Sequence, residues 1–181
     1  RAGAVESPDE QAELYLSAAR IAEERVSDKP KAIDFYRRVL ERKPMHAKAL
    51  ERIGPLYVDA RDWTGALEAF HKLVSVSQEP MVRAQGFRSL GMIYEEQRED
   101  LVKAVQSFQA AVQADPTDTE SLVRLSRVYK SAQDWASSVN VLLRLAEVQR
   151  EPGQRVTTLL ELGHIYETGF GDVQNAILAN R

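Results

Sequence analysis

Residues 61–70 read RDWTGALEAF and residues 133–142 read QDWASSVNVL, so an Asp-Trp pair occurs twice, at 62–63 and at 134–135. After each pair the apolar residues follow at spacings of three and four, which is the period of one face of a helix. Asp is a favoured N-cap, because its side chain accepts a hydrogen bond from a free N–H group in the first helical turn. Each pair therefore predicts the start of a helix, with the Trp packed into the structure rather than bound to a ligand.

The offset that carries Asp62 onto Asp134, which we call the block shift, aligns much of the rest of the chain as well, including prolines, leucines and Glu-Pro pairs. A shorter period, about half of the block shift, also runs along the chain. Four tyrosines recur at this interval: Tyr57, Tyr94, Tyr129 and Tyr166. A helical pattern that repeats at about 36 residues is typical of a solenoid built from helix pairs. The step from Tyr94 to Ala104 is one residue longer than the step from Tyr57 to Ala66, so we expect the turns to alternate in length.

The third unit carries the clearest signature, with LGMIY at 90–94 followed by Ala104, Phe108, Ala111 and Pro116. In this pattern the chain resembles the tetratricopeptide repeat family. That family has Leu-Gly-x-x-Tyr in the first helix of a pair, then an Ala, an aromatic and a small residue in the second helix, and a closing Pro. IGPLY at 53–57 and LGHIY at 162–166 also match. The first unit departs from the pattern at Ala22, and the fourth departs at Ser126, Ser138 and Leu142.

The resemblance implies an all-α fold, a right-handed α-solenoid of antiparallel helix pairs with about ten helices. One repeat domain would cover residues 1–181, in units of approximately 8–44, 45–80, 81–116, 117–152 and a partial 153–181. Two helices approach closely only where side chains are small, so Gly91 is expected to face Ala104. Because the sequence begins with Arg1 and stops within the repeat pattern, we expect a fragment of a larger repeat protein.

Composition and motifs argue against several other classes of function. The 24 Lys and Arg residues nearly balance 27 Asp and Glu, whereas nucleic-acid binders usually concentrate basic charge. There is no cysteine, and no apolar run reaches the roughly 18 residues of a membrane span. The three histidines lie in different units, without the spacing of metal ligands, and no acid, base and nucleophile come together. We therefore expect no enzyme activity, catalytic residue, cofactor, metal or nucleic acid.

The surface remains as the place of function. Helical spacing from the Leu-Gly-x-x-Tyr seam places one set of first-helix residues on the side that the resemblance makes concave: Leu16, Arg20, Lys48, Glu51, Gln85, Arg88, Met92, Val123, Arg127, Leu160 and His164. Apolar residues within a groove of mixed charge suit a peptide or an amphipathic helix. We predict that Arg88, Met92 and Arg127 contact the partner, because they lie in the middle of the array.

We interpret the chain as a non-catalytic scaffold that binds a protein or peptide partner whose identity the residues do not specify. Two alternatives stay open: a regulatory or targeting segment of a larger enzyme or signalling protein, and a structural module that assembles with its own copies. For the second alternative, the last helix would offer Val173, Ile177 and Leu178 for end-to-end contact, because no later helix covers them. The compartment is also left open, with a cytoplasmic location expected.

Overall fold

The computed structural model describes residues 7–172, 175, 178 and 179, and these residues contain helices and no strand. Nine α-helices follow one another along them: α1 (Pro8–Glu24), α2 (Lys29–Arg42), α3 (Ala47–Asp59), α4 (Trp63–Val76), α5 (Pro80–Gln97), α6 (Leu101–Ala114), α7 (Thr119–Ser131), α8 (Trp135–Val148) and α9 (Pro152–Phe170). Residues 175, 178 and 179 are helical as well. The predicted all-α class is confirmed.

Each helix packs against the helix before it and the helix after it, so the array grows by adding one helix pair to the next. This is the arrangement of a solenoid, as predicted. We call the surface formed by α1, α3, α5, α7 and α9 the odd-helix face, and the surface formed by α2, α4, α6 and α8 the even-helix face. The odd-numbered helices are the first helices of the pairs, so the predicted groove residues belong to the odd-helix face.

The turn inside each pair is built in the same way throughout the array. Four second helices start at an Asp whose side chain accepts a hydrogen bond from the N–H three residues later: Asp28, Asp62, Asp100 and Asp134. The predicted caps at Asp62 and Asp134 are confirmed. The residue before each of these caps has a positive φ, with values of 56°, 57°, 52° and 57° at Ser27, Arg61, Glu99 and Gln133. The fifth turn uses Gly171, at a φ of 66°.

The turns alternate in length, as the sequence predicts. The N–H of Asp62 donates to the carbonyl of Tyr57, five residues back, whereas the N–H of Asp100 donates to the carbonyl of Tyr94, six residues back. The longer form recurs in the first and fifth pairs, and the shorter form recurs in the fourth. The structural repeat is therefore a block of two helix pairs, which explains why the sequence matches itself best at the block shift.

Small residues let the two helices of a pair approach. Four positions in the second helices have no exposed surface: Ala32, Ala66, Ala104 and Ser138. In the first helices the glycines make room for an aromatic ring, because a Cβ at Gly91 would lie 2.5 Å from Cε1 of Phe108. Gly54 has the same relation to Phe70, at 2.6 Å. The sequence predicts that Gly91 faces Ala104. The structure shows that the ring of Phe108 covers Gly91.

Candidate partner-binding surface

None of the eleven predicted groove residues is buried. Seven of them are exposed: Arg20, Lys48, Gln85, Val123, Arg127, Leu160 and His164. The other four are partly buried: Leu16, Glu51, Arg88 and Met92. The helical period alone placed them on the accessible side of their helices, but it did not show which of them lie together or which already have partners within the chain.

A groove of about 580 Å³ lies between α7 and α9 on the odd-helix face. It brings Val123 and Arg127 together with Thr157 and other uncharged polar side chains, among them Thr119, Gln149 and Gln154. Val123 is 49% exposed, and Leu160, which lies beside this groove on α9, is 54% exposed. The groove thus places the exposed Val123 among hydrogen-bonding groups that can meet the backbone of a bound segment.

Arg88 has a partner within the chain. Its Nη1 donates to Oδ1 of Asp118 at 2.6 Å, and its Nε lies 3.4 Å from Glu120. Asp118 is the N-cap of α7, and its side chain is only 4% exposed. The hydroxyl of Ser121 donates to the same carboxylate at 2.7 Å. Arg88 therefore fixes the start of α7 against α5, which is a role that the sequence pattern did not reveal.

A ladder of ion pairs links α1 to α3 and α5 to α7. Arg124 on α7 contacts Glu95 at 3.0 Å and Glu96 at 2.5 Å, and Arg127 contacts Glu95 at 2.6 Å. The same contact appears one block earlier, where Arg52 on α3 lies 3.0 Å from both Glu23 and Glu24. Because these partners lie on different helices and far apart in the sequence, a search for local charge pairs does not find them, whereas the block shift superimposes the two groups.

The earlier rung of this ladder also holds a buried tyrosine. The hydroxyl of Tyr36 donates to Glu23 at 2.8 Å, and the Tyr36 side chain has no exposed surface. Burial, and next the hydrogen bond to Glu23, raise the pKa of Tyr36 to about 12. Its phenol therefore stays protonated where an exposed tyrosine ionises.

A smaller notch of about 120 Å³ lies between α3 and α5. Its exposed lining is mainly apolar, from Val58, Trp63, Met92 and Ile93, and it also includes Ser89, Glu96 and Gln97. Met92 belongs to the predicted set. Trp63 packs against the core, as the sequence interpretation expected, and the part of it that stays exposed lines this notch.

Two further grooves lie on the even-helix face, where the sequence predicted no site. One of about 280 Å³ lies between α2 and α4, and one of about 490 Å³ lies between α6 and α8. The two grooves are equivalent positions one block apart. In each of them a tyrosine hydroxyl accepts a hydrogen bond from a residue of the neighbouring second helix, α2 or α6. Arg37 donates to Tyr57 at 2.8 Å, and Gln109 donates to Tyr129 at 2.7 Å.

Two of the three histidines, His46 and His71, make local contacts. Nδ1 of His46 caps α3 by accepting from the N–H of Ala49 at 3.2 Å, and His71 lies 3.0 Å from the hydroxyl of Tyr94. Over the residues that the structure describes, no three His, Asp or Glu side chains are grouped as metal ligands. Within the same residues, no helix has both the length and the apolar character needed to span a bilayer.

The predicted self-association surface lies at the C-terminal end of the chain. Val173 and Ile177 lie outside the described residues, and Leu178 is 64% exposed. End-to-end association therefore stays a prediction.

Comparison with known proteins supports the repeat assignment. Residues 51–119 match the tetratricopeptide repeat family. No curated protein matches the chain. Among solved structures, a MamA protein superimposes with a TM-score of 0.73 at 19% identity, over 94% of this chain and 88% of that one. YrrB, described as a TPR protein with an unusual peptide-binding site, gives a TM-score of 0.69 at 19% identity, over 97% and 90%. PilF of Pseudomonas aeruginosa gives 0.66 at 14% identity, over 96% and 73%.

At these identities the superpositions establish the fold, and the family match adds the sequence signature. Proteins with this fold are generally non-catalytic scaffolds for protein–protein interaction. The resemblance that the LGMIY unit indicates is confirmed, because the matched region contains that unit. Residues 51–119 are therefore tetratricopeptide repeat sequence, and the chain has the helix-pair solenoid fold of that family.

Proposed function

We propose that the chain is a non-catalytic scaffold that holds a peptide or a helix of a partner protein on its odd-helix face. The groove between α7 and α9 is the observation that carries this proposal. Val123 is 49% exposed and Leu160 is 54% exposed, although both are aliphatic. The groove is lined by uncharged polar groups together with the charged side chains of Glu120, Arg127, Lys130 and Glu161. Apolar side chains bordered by hydrogen-bonding groups are typical of surfaces that bind a protein segment.

The charges of this groove are already neutralised in part. Arg127 pairs with Glu95, and Lys130 pairs with Glu161 across the gap between α7 and α9. The Glu95 side chain is only 12% exposed, whereas Lys130 and Glu161 are each about a third exposed, so the Lys130–Glu161 pair is the one that a partner can more easily replace. Affinity would then come from burying Val123 and Leu160, at about 25 cal/mol per Å² of apolar surface removed from water.

The internal contact of Arg88 decides how the proposal should be tested. Replacing Arg88 and Arg127 by Glu would remove a partner contact and also place a carboxylate against Asp118, the cap of α7. Lost binding would then have two explanations. Val123 and Leu160 are better positions, because their side chains extend into solvent and changing them leaves the cap of α7 intact.

The experiment is selection from a random peptide library displayed on phage, followed by binding measurements on synthetic copies of the selected peptides. We expect Val123→Glu/Leu160→Glu to weaken the binding of these peptides by about tenfold or more, which corresponds to about 1.4 kcal/mol. The matched control is Val102→Glu/Leu143→Glu, which adds the same charges at exposed aliphatic positions of the even-helix face. Circular dichroism should show equal helical content for all three proteins.

Two results would count against the proposal. Selected peptides that lose affinity for the control variant but not for the groove variant would move the site to the even-helix face. A library that yields no binding peptide at all would remove the peptide-binding role.

A further inference from the structure

The even-helix face changes in charge from the first block to the second. Three charged residues on the outward side of α2 form ion pairs within the chain: Asp34, Arg37 and Glu41. The block shift carries them onto three exposed glutamines of α6: Gln106, Gln109 and Gln113. In all, α2 contains seven Asp, Glu, Lys or Arg residues and α6 contains one. Depletion of charge on an exposed surface is typical of the core of a protein–protein interface.

Exposed aliphatic side chains lie on the same face. Val102 on α6 is 69% exposed, and Leu143 on α8 is 43% exposed. The groove of about 490 Å³ lies between these two helices, and Val112 and Val141 are part of its lining. We call the exposed residues of 102–113 and 140–147, together with this groove, the α6–α8 surface. It combines amide groups with apolar side chains, as protein interfaces do.

Two opposite charges remain on the α6–α8 surface, at Arg144 and Glu147. Both side chains are exposed, and they lie three residues apart on the outward side of α8. The guanidinium of Arg144 lies 3.5 Å from the carbonyl of Val112. Within the described residues, Arg144 has no ion pair, and Glu147 has neither an ion pair nor a hydrogen bond. Each of the two charges therefore lacks an opposite charge in its own copy of the chain.

The charges that border this surface do not give it a strong excess of one sign. Three carboxylates at the ends of the helices accept hydrogen bonds within the chain: Asp100, Asp115 and Asp134. Lys103 pairs with Asp100, and Arg150 and Glu151, which follow α8, carry opposite charges. A second copy of the same surface can therefore approach without strong repulsion.

We propose that two copies of the chain associate through their α6–α8 surfaces about a two-fold axis, which sets Arg144 of each copy against Glu147 of the other. In a two-fold contact a patch meets itself, so it must be complementary to itself. Amide side chains carry both donors and an acceptor, so the glutamines can pair with their own copies. An axis between Arg144 and Glu147 forms two equivalent ion pairs, and the contact removes Val102 and Leu143 from water. This association uses the even-helix face and leaves the odd-helix face accessible, so it goes beyond the proposed function.

Sedimentation equilibrium of the whole chain measures the association. We expect a concentration-dependent equilibrium between monomer and dimer, which Val102→Glu/Leu143→Glu should weaken by about tenfold or more. The matched control is Leu14→Glu/Leu178→Glu, which adds the same charges at aliphatic positions that are 56% and 64% exposed near the two ends of the array. It should leave the equilibrium unchanged. A chain that stays monomeric up to about 1 mM would overturn the proposal.

An exchange of charges tests the pairing across the axis. Arg144→Glu alone and Glu147→Arg alone each place like charges opposite one another, so each variant should dimerise about tenfold or more weakly than the unchanged chain. Mixing the two variants restores opposite charges at both positions, so a heterodimer should form with the affinity of the original dimer. Damage to the fold, such as loss of the contact between Arg144 and Val112, is not repaired by mixing. If the mixture associates no better than either variant by itself, the two-fold pairing is wrong.

The outcomes separate this inference from its alternatives. If Leu14→Glu/Leu178→Glu removes the dimer and Val102→Glu/Leu143→Glu keeps it, the copies associate end to end and the proposal is wrong. A dimer that follows the charge exchange supports the α6–α8 contact even if the peptide library yields no ligand for the odd-helix face. Library peptides that bind a chain without any dimer would leave the scaffold proposal standing and overturn this one.

Discussion

Among the residues that the structure describes, four turns hold a residue other than glycine at a positive φ, and replacing all four by glycine should stabilise the fold. The positions are Ser27, Arg61, Glu99 and Gln133. A side chain in this region costs roughly 1–2 kcal/mol, because its Cβ crowds the following carbonyl oxygen. Glycine avoids that crowding but adds about 0.4–1 kcal/mol of freedom to the unfolded chain. The net gain is about 0.5–1 kcal/mol for each turn.

The four side chains are exposed and have no partner within the described residues, so no contact offsets this gain. For the fourfold variant we expect an increase of about 2–4 kcal/mol in the free energy of unfolding. Urea unfolding followed by circular dichroism measures it. With a slope of about 1–3 kcal/mol per M, the midpoint should rise by roughly 1 M or more.

The fifth turn supplies the opposite change as a control. Gly171 has a φ of 66°, and a Cβ there would meet no atom within 4 Å, so Gly171→Ala introduces backbone strain without a steric clash. It should lower the urea midpoint. If the fourfold glycine variant has an unchanged or lower midpoint, positive φ is not a strain in these turns and the reasoning fails.

Three further predictions concern the core, a helix cap and a buried phenol. Gly91→Ala should lower the free energy of unfolding by about 1 kcal/mol after the gain in helix propensity is subtracted, because the new Cβ would lie 2.5 Å from the ring of Phe108. The control Gly153→Ala, whose Cβ would meet no atom within 4 Å, should not lower it. Urea unfolding measures both. The hydrogen bonds that Asp134 accepts from Ser137 as the cap of α8 lower the pKa of Asp134. Its contribution to the free energy of unfolding is therefore present above about pH 4 and is lost as the pH falls. In acid titration, the Asp134→Asn variant should lose less free energy of unfolding than the unchanged chain. The pKa of Tyr36 is raised to about 12. Its contribution to the free energy of unfolding is therefore present below about pH 10 and is lost as the pH rises through 12. Alkaline unfolding of Tyr36→Phe should not show this loss of stability.

The fold could be predicted from the sequence because its determinants are local and recur. The Asp-Trp pairs mark where α4 and α8 begin, and Asp62 and Asp134 are the caps of these helices. The spacing of Tyr94 and Ala104 indicated the longer turn, which the hydrogen bond from Asp100 to Tyr94 confirms. Each of these features depends on a few neighbouring residues and on general helix geometry.

The positive φ angles and the details of the surface could not be read in the same way. Arg61 and Glu99 have no preference for a left-handed conformation, so nothing in their identity marks the strained turn. Arg88 lies on the accessible side of α5, but its contact with Asp118 depends on how two separate helices are aligned. Trp63 packs against the core as expected, but the part of it that lines the notch between α3 and α5 could not be foreseen, because it depends on how α5 is placed beside α4.

The alternation of turn lengths has a consequence for how such an array can lengthen or shorten. Removing residues 45–116 excises one complete block and joins two equivalent positions, so every remaining turn keeps a neighbour of the other length. Arg124 would then take the place of Arg52 opposite Glu23 and Glu24, and it would form with them the same ion pairs that Arg52 forms now. Removing a single helix pair would instead place two turns of the same length side by side. A deletion or insertion of a whole block therefore keeps the alternation of turn lengths, whereas a change by one internal helix pair breaks it.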